Sequence, residues 1–299
     1  MMFCLNLCEL LAGNITRKIT FEEVFSYFEK NEDTIIERIY IGSSFCSQYF
    51  LHFSGYKELF QYCKFRQIHV TITVPVISEK DLENGKKKIS CLYKEGEEIV
   101  DEFTVNDIGM LYYIQNNYNK NINLGRLFFK DPRDCRIPSY INSTVAPAML
   151  SYLGNLQYHA THVTGIELDS ISKQLNLTQV EYKNISISIH APLCYMTTGN
   201  ICKFASIHYQ PDKKYRPNMH CQMECLHVMD FYSDHVQQTD CDTVLIRIGR
   251  TLYFENDIPR TIGHSFQRII YFPIKEIASY LGYKSYNGEY SDKSEDKNK

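Results

Sequence analysis

The chain lacks tryptophan, lacks any strong charge bias, and lacks several common catalytic signatures. A net charge of −3 over 299 residues creates no general basic field, which disfavours nucleic acid and anionic membrane surfaces as partners. No uninterrupted apolar run is long enough to span a bilayer. The first eleven residues are apolar but short, without a basic leader or a clean small-residue cleavage site. Met2–Leu7 therefore reads as a buried strand, not a signal peptide, and the expected location is the cytoplasm with reduced thiols. No Gly-x-Gly-x-x-Gly follows a strand, which weakens a dinucleotide-binding reading. Gly-x-Ser-x-Gly and His-Glu-x-x-His are both absent, so nothing marks a hydrolase nucleophile or a metallopeptidase helix. With no internal repeat and no low-complexity linker, residues 1–284 are expected to form one domain. The polar stretch 285–299 reads as a disordered tail.

What is present is core material and a regular alternation of elements. Hydrophobic residues make up 44% of the chain, ample for a sizeable interior. Short apolar runs at Phe3–Leu7, Arg38–Gly42, Ile68–Val76, Ile99–Val105, Asn121–Phe129, Ile166–Leu168 and Ile185–Ile189 predict strands. In Ile68–Val76 the apolar Ile68, Val70, Ile72 and Val74 alternate with His69, Thr71 and Thr73. Between the runs lie helix-like segments. One opens at Thr20 with Glu22 and Glu23 in its first turn; others cover Tyr56–Lys64, Glu79–Tyr93 (interrupted at Asn84-Gly85), Ile108–Gln115 capped by Asp107, and Thr144–Leu153. A further short helix is expected around Ser170–Leu175. Strand–helix repetition of this kind implies parallel βαβ units, and the number of units favours a single TIM-like (β/α) barrel over an open doubly wound sheet. After Cys225 the pattern changes to a hairpin, Thr243–Ile248 and Thr251–Phe254 around Gly249-Arg250. A strand at Arg268–Phe272 and a closing helix at Lys275–Leu281 follow.

Eleven cysteines are the most informative residues. Cys221 and Cys225 are spaced to bind one metal centre, Cys202 lies a short way upstream, and Cys46 follows the Arg38–Gly42 strand. Four thiolates suit a [4Fe-4S] cluster or a structural zinc, and the spacing does not choose between them. In a barrel, the loops after strand C-termini open on one face, which would gather these four. Cys194 is the rival fourth ligand, giving an all-local site closer to structural zinc. Cys4, Cys8, Cys63, Cys91, Cys135 and Cys241 are expected to pack in the core. His190, His220 and His227 flank the cysteines; His220 and His227 are candidates to ligate zinc or donate to cluster sulfur, against the plainer reading of ordinary polar histidines near a loop. Glu167, at a predicted strand end, is a candidate catalytic or orienting acid. Arg126, Lys130, Arg133 and Arg136 form a basic patch with Tyr140 that would clamp a carboxylated substrate if it lines the barrel mouth, with Arg133 as the second catalytic candidate; the alternative is an exposed, solvated loop face. Asp107 is read as a helix cap.

These residues resemble the collagenase-like peptidase U-32 family, in its UbiV-like iron–sulfur branch of oxygen-independent ubiquinone biosynthesis. The resemblance rests on Ile39-Tyr40-Ile41-Gly42-Ser43-Ser44-Phe45-Cys46-Ser47, on Thr104-Val105-Asn106-Asp107-Ile108-Gly109 and on Ile166-Glu167-Leu168-Asp169. His190-Ala191-Pro192-Leu193-Cys194-Tyr195 followed by Cys202, and the Cys221-x-x-x-Cys225 pair, complete it. It implies a barrel whose [4Fe-4S] cluster is held by Cys46, Cys202, Cys221 and Cys225. It also implies a paralogous UbiU-type subunit as heterodimer partner, and oxygen-independent hydroxylation or a related redox modification of a small aromatic or other biomolecule. The alternatives are a non-catalytic metal-binding subunit and a U-32-type peptidase. The sequence departs from the family in the longer turn Thr197–Ile201 before Cys202, in Gln48-Tyr49 where a basic pair is expected, and in Glu224 where the family has a further cysteine.

Overall fold

A computed structural model describes residues 2–8, 21–31, 35–128, 161–170, 185–216, 220–226, 230–234, 243–255 and 266–273. Eight parallel strands close into a barrel. They are β1 (Met2–Asn6), β2 (Ile36–Gly42), β3 (His69–Val74), β4 (Val100–Val105), β5 (Asn121–Leu124), β6 (Val163–Asp169), β7 (Ser186–Ala191) and β12 (Phe266–Tyr271). The strands follow one another in chain order around the ring until β12 closes it between β7 and β1. Helices α1 (Phe21–Asn31), α2 (Ser47–His52), α3 (Tyr56–Arg66), α4 (Leu82–Gly96) and α5 (Ile108–Asn117) cover the outside. This is the (β/α) barrel expected from the alternation. Among the described residues no helix is long and apolar enough to cross a membrane.

The strand pattern assigns the two faces. Val70, Ile72 and Val74 on β3, Phe103 and Val105 on β4, and Ile187 and Ile189 on β7 point outward, into a continuous apolar layer. There they meet Val24, Phe25 and Phe28 of α1, Leu59 and Phe60 of α3, and Ile89 and Leu92 of α4. Each such side chain contributes about 1.5–3 kcal/mol on burial, so this layer between sheet and helices is the main source of stability. The alternate positions point inward and are polar. Glu102 on β4 meets Arg268 on β12 at 2.7 and 2.8 Å. Those two strands lie diametrically opposite, with three strands between them in either direction, so the pair crosses the lumen. Arg38 on β2 joins it, 3.8 Å from Glu102, while binding Asp101 through both guanidinium nitrogens at 2.6 and 2.9 Å. Thr71 donates to Glu102 at 2.9 Å.

Several local expectations are corrected. The helix expected to break at Asn84-Gly85 is continuous. Gly85 is there because α4 packs so closely that a Cβ would lie 2.5 Å from Ile77. The strand expected over Asn121–Phe129 stops at Leu124, since at Gly125 a Cβ would collide with the Asn106 amide and the chain turns into a short 3-10 turn, Arg126–Phe128. β3 ends at Val74 because Pro75 has no N–H to continue the ladder. Cys91 is exposed and not in the core, whereas Cys4, Cys8 and Cys63 are buried as expected. The hairpin and the cysteine-rich excursion are one unit inserted between β7 and β12. Its strands β8 (Leu193–Thr198), β9 (Asp230–Asp234), β10 (Thr243–Ile248) and β11 (Thr251–Glu255) form an antiparallel sheet in the order β8-β11-β10-β9. The expected helices at Thr144–Leu153, Ser170–Leu175 and Lys275–Leu281, the tail from 285, and Cys135 and Cys241 lie outside the described residues.

Replacing Glu102 by Ala takes the counter-ion from Arg268, while Arg38 keeps Asp101. The expected cost is about 3–5 kcal/mol, because Arg268 loses its partner carboxylate in a largely buried setting. The double change Glu102→Leu with Arg268→Met should recover part of it. Urea denaturation measures both, and a cost below about 1 kcal/mol for the single change would show that the ion pair does not hold the barrel.

Candidate functional site

The C-terminal ends of consecutive strands carry the chemistry of a barrel of this class. Here they converge on Glu167. Thr73, Thr104 and Asn123 are the penultimate residues of β3, β4 and β5 and are paired in register across those strands. Glu167 stands two residues from the end of β6, and His190 is penultimate on β7. Thr104 donates to Glu167 Oε1, and His190 Nε2 lies 2.9 Å from Oε2. The Tyr40 ring stands edge-on to His190 from across the lumen, with centroids 6.4 Å apart. Gly165 on β6 has no side chain, and Asn123 Oδ1 fills the space a Cβ would need, 2.0 Å away.

Glu167 is 1% exposed. Burial raises its carboxyl pKa, against the Thr104 hydrogen bond and the positive charges of Arg126 and Arg268, and leaves it at about 7. A carboxylic acid poised there can give or take a proton near neutral pH. Around it stand polar atoms without hydrogen-bond partners among the described residues: both amide atoms of Asn123, Thr73 Oγ1 and Ser188 Oγ. Asn123 faces Glu167, but neither of its polar atoms reaches hydrogen-bonding geometry with it.

Arg126 lies close enough for its charge to act on Glu167. Expected as part of an exposed basic patch, it is instead 3% exposed, donating to Asp169 Oδ1 at 3.0 Å and to Ser44 Oγ at 3.4 Å. Its guanidinium lies 4.8 Å from the Phe45 ring centre and 5.9 Å from that of Tyr195, and its Nε has no partner among the described residues. Lys130, Arg133, Arg136 and Tyr140 lie outside the described residues, so the structure does not place Arg133. Asp107 caps α5 as expected, accepting from the backbone N–H of Gly109 and Met110. Asn106 ties the neighbouring loops, donating to Val74 O at 3.3 Å and accepting from Leu127 N at 3.2 Å.

The loop after β2 is built by its sequence. Gly42 has φ +97° and would bring a Cβ to 2.3 Å from Thr73 O, so only glycine fits. Ser43 Oγ then accepts from the N–H of Phe45 at 3.2 Å and of Cys46 at 2.7 Å. This turn aims Cys46 toward the excursion. There a cavity of about 40 Å³ is lined by Cys46, Cys202, Cys221 and Cys225, together with Met223 and Arg250. The topology thus brings the four predicted cysteines to one place.

The expected cofactor is nonetheless corrected. Among the described residues, no group of three or more Cys, His, Asp or Glu is arranged to hold a metal ion, which overturns both the [4Fe-4S] cluster and the alternative zinc. Three of the four cysteines are placed by local contacts instead. Cys46 Sγ accepts from Tyr49 N at 3.5 Å and caps α2; Cys221 Sγ accepts from Met223 N at 3.3 Å; Cys225 is buried beside Gly249. Burial, with the Glu224 carboxylate and Cys202, raises the Cys221 thiol pKa despite the Met223 N–H, the reverse of what a thiolate ligand needs. Cys194 lies apart, its thiol donating to Ser170 O at 2.7 Å. His190 belongs to the lumen, His220 is exposed, and His227 lies outside the described residues. His208 was missed by sequence reasoning, because only the folded excursion brings its Nδ1 to 2.5 Å from Glu224 Oε1.

In comparison with known proteins, the chain matches no family model, no curated protein and no solved structure.

The Glu167 carboxyl has a pH signature. Between its ordinary value near 4.5 and about 7, the native chain keeps a proton that the unfolded chain has lost. Stability therefore falls as pH rises through that window, by an amount on the order of 3 kcal/mol. Glu167→Gln removes the titration. Denaturant midpoints of the wild type should drop relative to Glu167→Gln between pH 5 and pH 8. A difference that stays flat over that range would mean the buried carboxyl is ionised throughout.

Proposed function

We propose that this chain is an acid–base enzyme acting on a small carboxylated carbonyl compound, with Glu167 as the proton-transfer group. The observation that carries this reading is the convergence of Thr73, Thr104, Asn123, Glu167 and His190 at the C-terminal ends of consecutive barrel strands. Scaffold packing alone does not call for such a set. A lumen filled for stability takes branched apolar side chains, and each unpaired buried polar atom costs about 1–3 kcal/mol.

The roles follow from the chemistry of each group. Above its pKa Glu167 is a base, shielded from water and placed to take a proton from a carbon next to a carbonyl. His190 holds the carboxylate in one orientation. The Asn123 amide N–H and the hydroxyls of Thr73 and Ser188, all without partners, are the donors for the oxygen on which negative charge develops. Arg126 receives the substrate carboxylate through its unpartnered Nε and the edge it now turns to Asp169. Binding displaces that contact and admits the substrate. This reading does not draw on the cluster-dependent redox chemistry expected from the family resemblance.

Incubating the protein in D₂O with a panel of small 2-oxo and 2-hydroxy acids tests it. Wild-type protein should exchange a carbon-bound hydrogen for deuterium in at least one compound, seen by NMR. Activity should rise with pH through about 7. Glu167→Gln should lower the rate roughly a hundredfold or more. Exchange that survives the substitution, or a folded wild type inert toward the whole panel, would sink the proposal.

A further inference from the structure

The cysteine cavity lies outside the acid–base chamber and has its own chemistry. Cys46, Cys202 and Cys221 are partly exposed at its wall, while Cys225 is buried. The segment around Cys221 is shaped to present that sulfur. Met223 adopts φ +61°, a conformation that disfavours any residue with a side chain, and its N–H points at Cys221 Sγ. Glu224 closes the turn by accepting from Gln222 N at 3.2 Å, and its Oε2 lies 4.0 Å from Cys221 Sγ as the acceptor for the thiol proton. His208 stands behind Glu224 at 2.5 Å. The result is a thiol with its own proton acceptor, lining the same cavity of about 40 Å³ as a second thiol, Cys202.

We propose that Cys202 and Cys221 form a redox-active dithiol that exchanges with small disulfides. Cys202 attacks, because Cys221 is tied to its turn and faces a carboxylate. The Cys202 thiolate attacks one sulfur of R–S–S–R, the S–S bond breaks, and RS⁻ leaves with the electron pair. Cys221 then passes its proton to Glu224 and attacks Cys202 Sγ, expelling the second RS⁻. The two thiolates take up protons from solution and, through Glu224 and His208, from Cys221. The protein pair is oxidised by two electrons to a Cys202–Cys221 disulfide, and the substrate disulfide is reduced to two thiols. At about 40 Å³ the cavity admits the sulfur end of such a molecule while the remainder stays in solvent.

The test uses the full chain, reduced and freed of reductant, with oxidised glutathione as the probe. Samples are acid-quenched, alkylated and peptide-mapped by mass spectrometry. The expected product is a Cys202–Cys221 cross-link and a chain lighter by two hydrogens. It should form at least about tenfold faster than glutathione adds to Cys91, the exposed thiol on α4. Cys221→Ser should trap glutathione on Cys202, and Glu224→Gln should slow ring closure while leaving the first attack unchanged. Three results would overturn the proposal: persistent glutathione on Cys202 of the wild type, a cross-link that uses Cys46 or Cys225 instead, or reaction no faster than at Cys91. Should either variant fail to fold, the wild-type map decides alone.

Discussion

Glu102, held between Arg268 and Arg38, is the interaction on which the rest of the barrel depends. It joins strands on opposite sides of the ring, and its partners come from β12 and β2, one on each side of the first strand. An ion pair of this kind gains little over an apolar pair of the same shape, because desolvation offsets most of the Coulomb attraction. Its value is geometric. A charge in the lumen must find its partner, so strand registers that separate Glu102 from Arg268 are penalised by several kcal/mol. The apolar layer outside the strands stabilises the fold; the charged layer inside selects one arrangement of it.

Once the N-terminal half of the lumen is fixed by charge, its C-terminal half is free to be reactive. Glu167 and His190 sit above the ion network, among side chains whose hydrogen-bonding capacity is unused. Burial brings the Glu167 carboxyl pKa to about 7, against the Arg126 charge, which lowers it. Burial, pKa and substrate charge are thus one problem here. In the proposed reaction the buried cation above Glu167 would also be the group that receives the substrate carboxylate.

Much of this was legible in the alternation of residues along the strands. Val70, Ile72 and Val74 against Thr71 and Thr73, and Ile187 and Ile189 against Ser188 and His190, mark two faces without any structure. The alternation does not say which face is the lumen, and a polar stripe on a strand ordinarily reads as solvent-facing; only the crossing from Glu102 to Arg268 settles it. Glu167 stood out as a strand-end acid, but its partners Thr104 and His190 are remote in sequence and carry no motif. The grouping of Cys46 with Cys202, Cys221 and Cys225 was legible from strand ends and from the spacing of the last pair, whereas the absence of a metal arrangement among the described residues was not. Ligand spacing is necessary for a cluster, but the sulfurs must also meet at one point as thiolates. Here Met223, Glu224 and Tyr49 direct them otherwise. The strands at Leu193–Thr198 and Asp230–Asp234 were hidden because their pairing is with distant β11 and β10, so no local pattern announces them.

The two sites place opposite demands on one loop. A carboxyl titrates near neutral pH only while water is kept out, and a thiol exchanges with a disulfide only where water and reagent can reach it. Residues 43–46 separate the two regimes. On the lumen side Ser44 Oγ and the Phe45 ring hold Arg126. On the excursion side the Phe45 carbonyl accepts from Arg250, one such bond at 2.9 Å, while Cys46 opens onto the cavity. Phe45 is thereby gripped from the barrel through its ring and from the inserted sheet through its backbone, with Tyr195 at 4.9 Å and Tyr253 at 6.1 Å packing its remaining faces. A packed partition separates the buried Glu167 carboxyl from the open cysteine cavity. The glycine at 42 makes that partition possible, because no other residue would let the chain leave β2 across the Thr73 carbonyl.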